Sequence, residues 1–249
     1  MRQTYIALGA LLLGVSLNAT AVTADEMVQK NVEARGGAQR LKALQGVRTT
    51  VKAKFGSLDA DFVRRQKRPG KIREEFILQG LVGIQAHDGV QGWAVTPWQG
   101  RKDPDKLSAD DSKGLVEESD IEGALVDYQA KGHTVEYLGT EDVDGTEAHK
   151  LKLTRANKDF QYLFLDPDFF LLIRAESHQW LRGAEQVSET DFGEYQLVGG
   201  IWWPFAYASG AKGSTSKATF AVENIELNPE LDDTLFRFPE TAVTPAKVQ

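Results

Sequence analysis

The sequence predicts a mainly β protein: a strongly curved antiparallel half-barrel of about ten strands, with a few helices covering its concave apolar face. Three observations predict it. From Val51 onward, apolar and charged residues alternate with a period of two. The alternating runs are separated by short turn signals, among them Gly56-Ser57, Pro69-Gly70, Asp88-Gly89 and Asp144-Gly145, which join neighbours as hairpins. Helical periodicity is confined to the opening segment and to one excursion in the middle. A sheet this long cannot stay flat; it twists and either splits or curls toward a barrel.

The elements follow in order. Met27, Val28 and Val32 share one face of an opening helix that Gly36-Gly37 stops, and Leu41 and Leu44 mark a shorter helical piece ending near Gly46. Val51, Ala53 and Phe55, then Ala60 and Phe62, alternate with charged residues across the first hairpin. Ile72, Phe76 and Leu78 oppose Lys71, Arg73 and Glu75; Val82, Ile84 and Ala86 form the next apolar row, and Val90 to Val95 a fifth strand. The stretch from Pro97 to Lys131 reads as loop and helix. Ser108 caps a helix carrying Leu115 and Val116, while Ser119 and Glu122 have capping-box spacing before a helix with Ile121, Leu125 and Tyr128 on one face, ended by Gly132. Strands resume at Thr134 to Thr140 and continue to Leu153. Next come Phe160, Tyr162 and Phe164, alternating with Asp159 and Gln161, and then Phe169 to Ser177. Val187 to Leu197 meets Trp202 to Tyr207 across Gly199-Gly200, and Lys217 to Leu227 is the last long strand.

Arg2 precedes an apolar run from Tyr5 to Leu17 and then the small residues Ala19, Ala21 and Ala24. This is the pattern of a secretory leader, so residues 1–24 are expected to be a signal peptide, cut after Ala21 or Ala24, and 25–239 one domain. The stretch 240–249 is expected to be disordered. The chain contains no cysteine, which excludes disulfides and a lipidated amino-terminus. Its net charge of -7, with no basic stripe, argues against a nucleic-acid partner.

The residues of familiar chemistries are missing. His87, His133, His149 and His178 have no metal-ligand spacing, and there is no G-x-S-x-G elbow or phosphate-binding glycine loop. Asp103, Asp105, Asp110 and Asp111 cluster without the spacing of a calcium loop and read as a solvated helix start. The expectation is a binding protein rather than an enzyme, with no cofactor and no metal. A few short helices cover a broad curved sheet incompletely, which leaves an apolar cleft as the binding site; a filled sandwich core is the competing reading. The candidate ligand contacts in this cleft are Phe55, Phe62, Phe76, Ile84, Trp93, Leu125, Tyr128 and Phe164. For the five tryptophans, core packing competes with ligand contact.

Several segments in sequence order resemble the periplasmic outer-membrane lipoprotein-sorting (LolA-like) proteins. They are Ala34-Arg35-Gly36-Gly37 leading to Leu41-Lys42-Ala43-Leu44, Asp88-Gly89-Val90-Gln91-Gly92-Trp93, the helices from Ser108 to Gly132, Val143-Asp144-Gly145, Tyr162-Leu163-Phe164-Leu165-Asp166, and Gly199-Gly200-Ile201-Trp202-Trp203-Pro204. The resemblance implies a half-barrel closed by helices, a Gram-negative periplasm, and a cargo of acyl chains on a lipoprotein or as free lipid. In the sorting carriers that cargo comes from an inner-membrane ABC transporter and passes to an outer-membrane acceptor. The lid-closing arginine of those carriers has only Arg35 as a loose counterpart. A monomer is expected. The alternative is an envelope sensor module that binds a partner protein; such relatives usually carry an extra carboxy-terminal domain, and this chain ends soon after its last strand.

Overall fold

A computed structural model describes residues 22–239. The expected signal peptide, except for residues 22–24, and the expected disordered stretch 240–249 lie outside these described residues. Two helices open the described chain, α1 (Ala24–Ala34) and α2 (Ala38–Ala43). The Thr23 hydroxyl accepts from the Glu26 amide at 3.2 Å and caps α1, with Asp25 and Glu26 in the first turn where a helix dipole favours negative charge.

Six strands follow: β1 (Gly46–Phe55), β2 (Leu58–Lys67), β3 (Lys71–Leu78), β4 (Leu81–His87), β5 (Gly92–Thr96) and β6 (Arg101–Lys106). After helix α3 (Ala109–Glu118) come β7 (Thr134–Val143), β8 (Thr146–Thr154), β9 (Phe160–Leu165), β10 (Leu172–Leu181) and β11 (Ala184–Gly193). The last four are β12 (Gln196–Val198), β13 (Ile201–Trp203), β14 (Ala206–Ala211) and β15 (Ala218–Leu227).

Thirteen of these strands form one antiparallel sheet in the order β6-β5-β4-β3-β2-β1-β15-β14-β11-β10-β9-β8-β7, and β12 pairs with β13 in a separate hairpin. Two meanders therefore meet where β1 pairs with β15, and β6 and β7 are the two free edges of an unclosed sheet. The connection through residues 107–133 must travel from one edge to the other. It does so across the open side, which is why the middle of the sequence forms the cover.

The strand count exceeds the about ten read from alternation in part because β6, Arg-Lys-Asp-Pro-Asp-Lys, has no apolar alternation at all. Charge and proline are the usual protection of an edge strand. The predicted meeting of Val187–Leu197 with Trp202–Tyr207 divides in two: β11 pairs with β14 in the main sheet, while β12 and β13 turn aside. The helix predicted after Ser119 is instead a chain of turns over 120–132, since Gly123 (φ 86°) and Asp127 (φ 51°) both adopt left-handed backbone that breaks a helical run.

Register fixes the two faces of the sheet. Val51 lies opposite both Phe62 and Val222, and Phe62 lies opposite Phe76, so these side chains share the inner face. At one end that face is filled by α1 (Met27, Val28, Val32), α2 (Leu41), the turn segment (Ile121, Leu125, Val126) and the β12–β13 hairpin (Ile201), packed on Val47, Leu151, Leu153, Leu163, Leu165 and Ile225. Burying each such side chain is worth roughly 1.5–3 kcal/mol, which makes this the main anchor of the helices.

The outer face carries a second apolar layer. Ile84, Ala86, Trp93 and Val95 cluster there with Phe238. The segment after β15 lies over them: Phe236 is fully buried, its carbonyl accepts from Trp93 Nε1 at 2.8 Å, and Asp233 accepts from Lys67 and Lys71, each at 2.7 Å.

Candidate binding cleft

Beyond the filled end, sheet and cover separate. A cleft of about 690 Å³ remains between the inner face and α3, within the usual size range of ligand sites. One side is aromatic. Phe55, Phe62, Phe76, Phe192, Tyr207 and Phe220 line it together with Val51 and Val222. Tyr207 stacks on Phe220 at 4.6 Å, Phe55 meets Phe220 edge-on at 5.9 Å, and Phe62 packs against Phe76 at 4.6 Å. The other side is polar but largely uncharged: Gln161, Ser177, Gln179, Ser188, Thr190 and Ser209.

Helix α3 closes the top with Gly114, Glu117 and Glu118. The Ser108 hydroxyl caps it by accepting from the Asp111 amide at 3.1 Å. Its approach to β5 depends on Gly92, because a Cβ there would collide with the Ser112 hydroxyl. Polar contacts pin it on both sides. On one side Arg64 bonds Glu118, and Gln66 Nε2 donates to the Glu118 carbonyl. On the other, Arg155 Nε faces Glu117 at 3.3 Å, Lys113 Nζ donates to the Trp180 carbonyl at 2.6 Å, and Arg182 donates to Asp111 at 2.6 Å.

Arg64 also holds Glu74 at 2.7 Å, so one guanidinium serves two carboxylates. Burial pushes the Glu74 carboxyl up to about 7; Arg64 pulls it down and Glu118 adds to the rise. Burial also raises Glu117, against the pull of Arg155, and lifts the Tyr207 phenol to about 12. Burial works against the charge on Arg64, but Glu118 and Glu74 outweigh it, so that guanidinium is held more firmly protonated than usual.

The turn segment 120–132 has its own ties. Arg35 Nη1 donates to the Glu122 carbonyl at 2.8 Å, and Arg68 bonds the Glu122 carboxylate. The Glu122 carboxyl is itself partly buried, but Arg68 and Lys131 hold it below its ordinary value. Arg35 thus fastens the end of α1 to the cover.

The predicted contacts divide into three groups. Phe55, Phe62 and Phe76 line the cleft. Leu125 and Tyr128 sit on the turn segment: Leu125 is buried in the packed end, and Tyr128 packs against the same cluster while its hydroxyl donates to Asp25 at 2.5 Å. Ile84, Trp93 and Phe164 lie on the outer face, the first two under the chain-terminal segment and Phe164 against Val143 and Ala148. A ligand in the cleft cannot reach those three. Alternation alone does not place them: β4 turns its apolar row of Val82, Ile84 and Ala86 outward, with Gly83, Gln85 and His87 inward, and β9 is apolar on both faces. Phe192, Tyr207 and Phe220 escaped the sequence reading, although Ser188, Thr190 and Phe192 alternate visibly with Glu189 and Asp191.

A second depression of about 1170 Å³ is lined by Lys52, Asp61, Ile77, Ala206, Ala208 and Ala221, which the register places on the outer face, together with residues at the rim of the cleft. It has no cover, and we take the inner cleft as the site. Among the described residues no three His, Asp or Glu side chains are grouped to hold a metal ion, and no helix is long and apolar enough to cross a membrane.

No protein-family model matches the chain, and no curated protein matches it by sequence. Solved structures do match. A DUF1329 family protein from Desulfovibrio piger superposes with a TM-score of 0.58 at 13% identity, covering 86% of this chain and 97% of that one. A LolA superfamily protein from Nitrosomonas europaea gives 0.56 at 15% identity, covering 87% and 98%. A domain from Vibrio parahaemolyticus described as an outer membrane lipoprotein-sorting protein gives 0.55 at 14%, covering 86% and 95%. These likenesses lie in the fold, along nearly the whole of each partner, and the fold of this chain is LolA-like.

Proposed function

We propose that the protein is an exported, periplasmic, non-catalytic carrier that holds an acyl chain in the cleft between its curved sheet and α3. The observation that supports it most strongly is the aromatic wall of Phe62, Phe76, Tyr207 and Phe220 left unfilled by the protein's own side chains. An alkyl chain entering such a wall gains on the order of 0.8 kcal/mol per buried methylene. The cover suits loading and release. It spans the two free edges of the sheet, and polar ties with the single buried Leu115 hold α3, whereas α1 packs several apolar side chains into the main core, so α3 can lift without dissolving that core. Lipid, or the acylated end of a lipoprotein, is the cargo class; delivery from an inner-membrane transporter to an outer-membrane acceptor extends the same reading.

Uptake of the uncharged probe N-phenyl-1-naphthylamine tests it. The folded protein should enhance the probe's fluorescence saturably at one site, Phe76→Glu in the cleft wall should weaken that at least tenfold, and Val90→Glu on an exposed turn should not. A folded protein with no saturable uptake would refute the proposal.

A further inference from the structure

Resting on the acyl-chain reading, we infer that the cleft selects an amphiphile whose polar head is uncharged and rich in hydrogen-bonding groups, in preference to a carboxylate or phosphate head.

The inner face is divided along its width. The aromatic wall lies mainly on β1, β2, β3 and β15 and reaches β11 and β14 through Phe192 and Tyr207, while β9, β10, β11 and β14 turn hydroxyl and amide groups into the same cleft. Register makes these a continuous stripe: Gln161 lies opposite Ser177, Ser177 opposite Ser188, and Thr190 opposite Ser209. The groups are pre-aligned by their own bonds, with Gln161 Nε2 donating to Ser177 Oγ at 2.8 Å and the Thr190 and Ser209 hydroxyls 2.9 Å apart. Each hydroxyl offers one donor and two acceptor sites, so these bonds leave capacity directed at a ligand. Trp203 also lines the cleft, and among the described residues its buried indole N–H has no acceptor. A stripe of this kind on the inner face would be costly in a site built for an alkyl chain alone, since the chain would strip water from hydroxyls and return nothing.

Charge excludes the acidic heads. Two cations and three carboxyl groups line the cleft: Arg64 and Arg155 against Glu74, Glu117 and Glu118. Both guanidiniums are already engaged by those carboxyls. An anionic head would find no free cation and would meet Glu117 and Glu118 from the cover.

Displacement of bound N-phenyl-1-naphthylamine by a series of twelve-carbon amphiphiles, each below its micellar concentration, tests the inference. The series holds dodecyl maltoside, the amide of an N-dodecanoyl dipeptide, dodecanoate and dodecyl phosphate; the first two separate a sugar-like head from a peptide-like one. At least one uncharged head should displace the probe at a tenfold or lower concentration than either anion. The triple variant Ser177→Ala, Thr190→Val, Ser209→Ala should reduce that preference to under threefold while probe uptake persists. Equal displacement by all four heads, or tighter binding of an anion, would overturn the inference and leave the acyl-chain reading standing. Absence of probe uptake by the wild-type protein would overturn both. If the triple variant does not fold, the wild-type series alone decides.

Discussion

Replacing Glu74 by glutamine should make the protein more stable at pH 8, by a margin that shrinks as the pH falls toward 5. Glu74 is buried, shares Arg64 with Glu118, and has its carboxyl pushed up to about 7 by burial. A carboxyl whose folded value lies above its unfolded one contributes stability that is complete below the unfolded value and is lost as pH rises through the folded one. The window therefore runs from 4.5 to about 7. At about 1.4 kcal/mol per tenfold change in proton affinity, the loss has an upper bound of about 3 kcal/mol. Glutamine reproduces the neutral form and keeps an acceptor for Arg64 Nε, so the variant should gain up to that amount at pH 8. His133 slopes the other way: burial, then Arg155 and Lys131, hold it below 6.5, so its contribution grows as pH rises. That slope is common to both proteins and cancels in the difference. Urea unfolding followed by tryptophan fluorescence at pH 5, 6, 7 and 8 measures the effect. A variant less stable than wild type at pH 8, or a gap independent of pH, would show that Glu74 is not held against its charge.

Three further outcomes are expected. Arg35→Ala removes the bond to the Glu122 carbonyl and should speed amide exchange across 120–132 at least tenfold, in line with about 1–3 kcal/mol for an abandoned buried acceptor, while β7 and β8 stay protected. Trp93→Phe should cost about 1–2 kcal/mol in urea unfolding, through the lost bond to the Phe236 carbonyl, without changing probe uptake, because Trp93 lies on the outer face. Gly92→Ala should push α3 off β5 through Ser112 and raise proteolysis within 109–118, with the far-ultraviolet dichroism of the sheet intact.

Hairpins and capped helices were legible in the sequence because their causes are local. Asp144-Gly145 permits a tight turn, and Ser108 supplies the oxygen that starts α3. The pairing of β1 with β15 was not legible, since nothing local links Val51 to Val222. Nor was the face of β4, β5 and β9. For β4 and β5 the assignment depends on the segment carrying Phe236 and Phe238 returning to cover the outside, a contact made across most of the chain's length, and for β9 on Phe164 packing against Val143 and Ala148. The cleft itself was half visible. Phe62 and Phe76 stand out as isolated aromatics on alternating strands. The hydroxyl stripe looks like ordinary solvent-facing polarity until register places Ser177, Thr190 and Ser209 on the same face as Phe192 and Tyr207.

The central claim is a cleft that the protein itself leaves open for an alkyl chain. Native mass spectrometry on protein purified from its own host, followed by lipid extraction, tests it most directly. The account predicts a population heavier than the bare polypeptide by the mass of one acylated molecule, which Phe76→Glu diminishes and Trp93→Phe retains. A single species at the bare polypeptide mass in all three proteins, with no lipid in the extract, would contradict it.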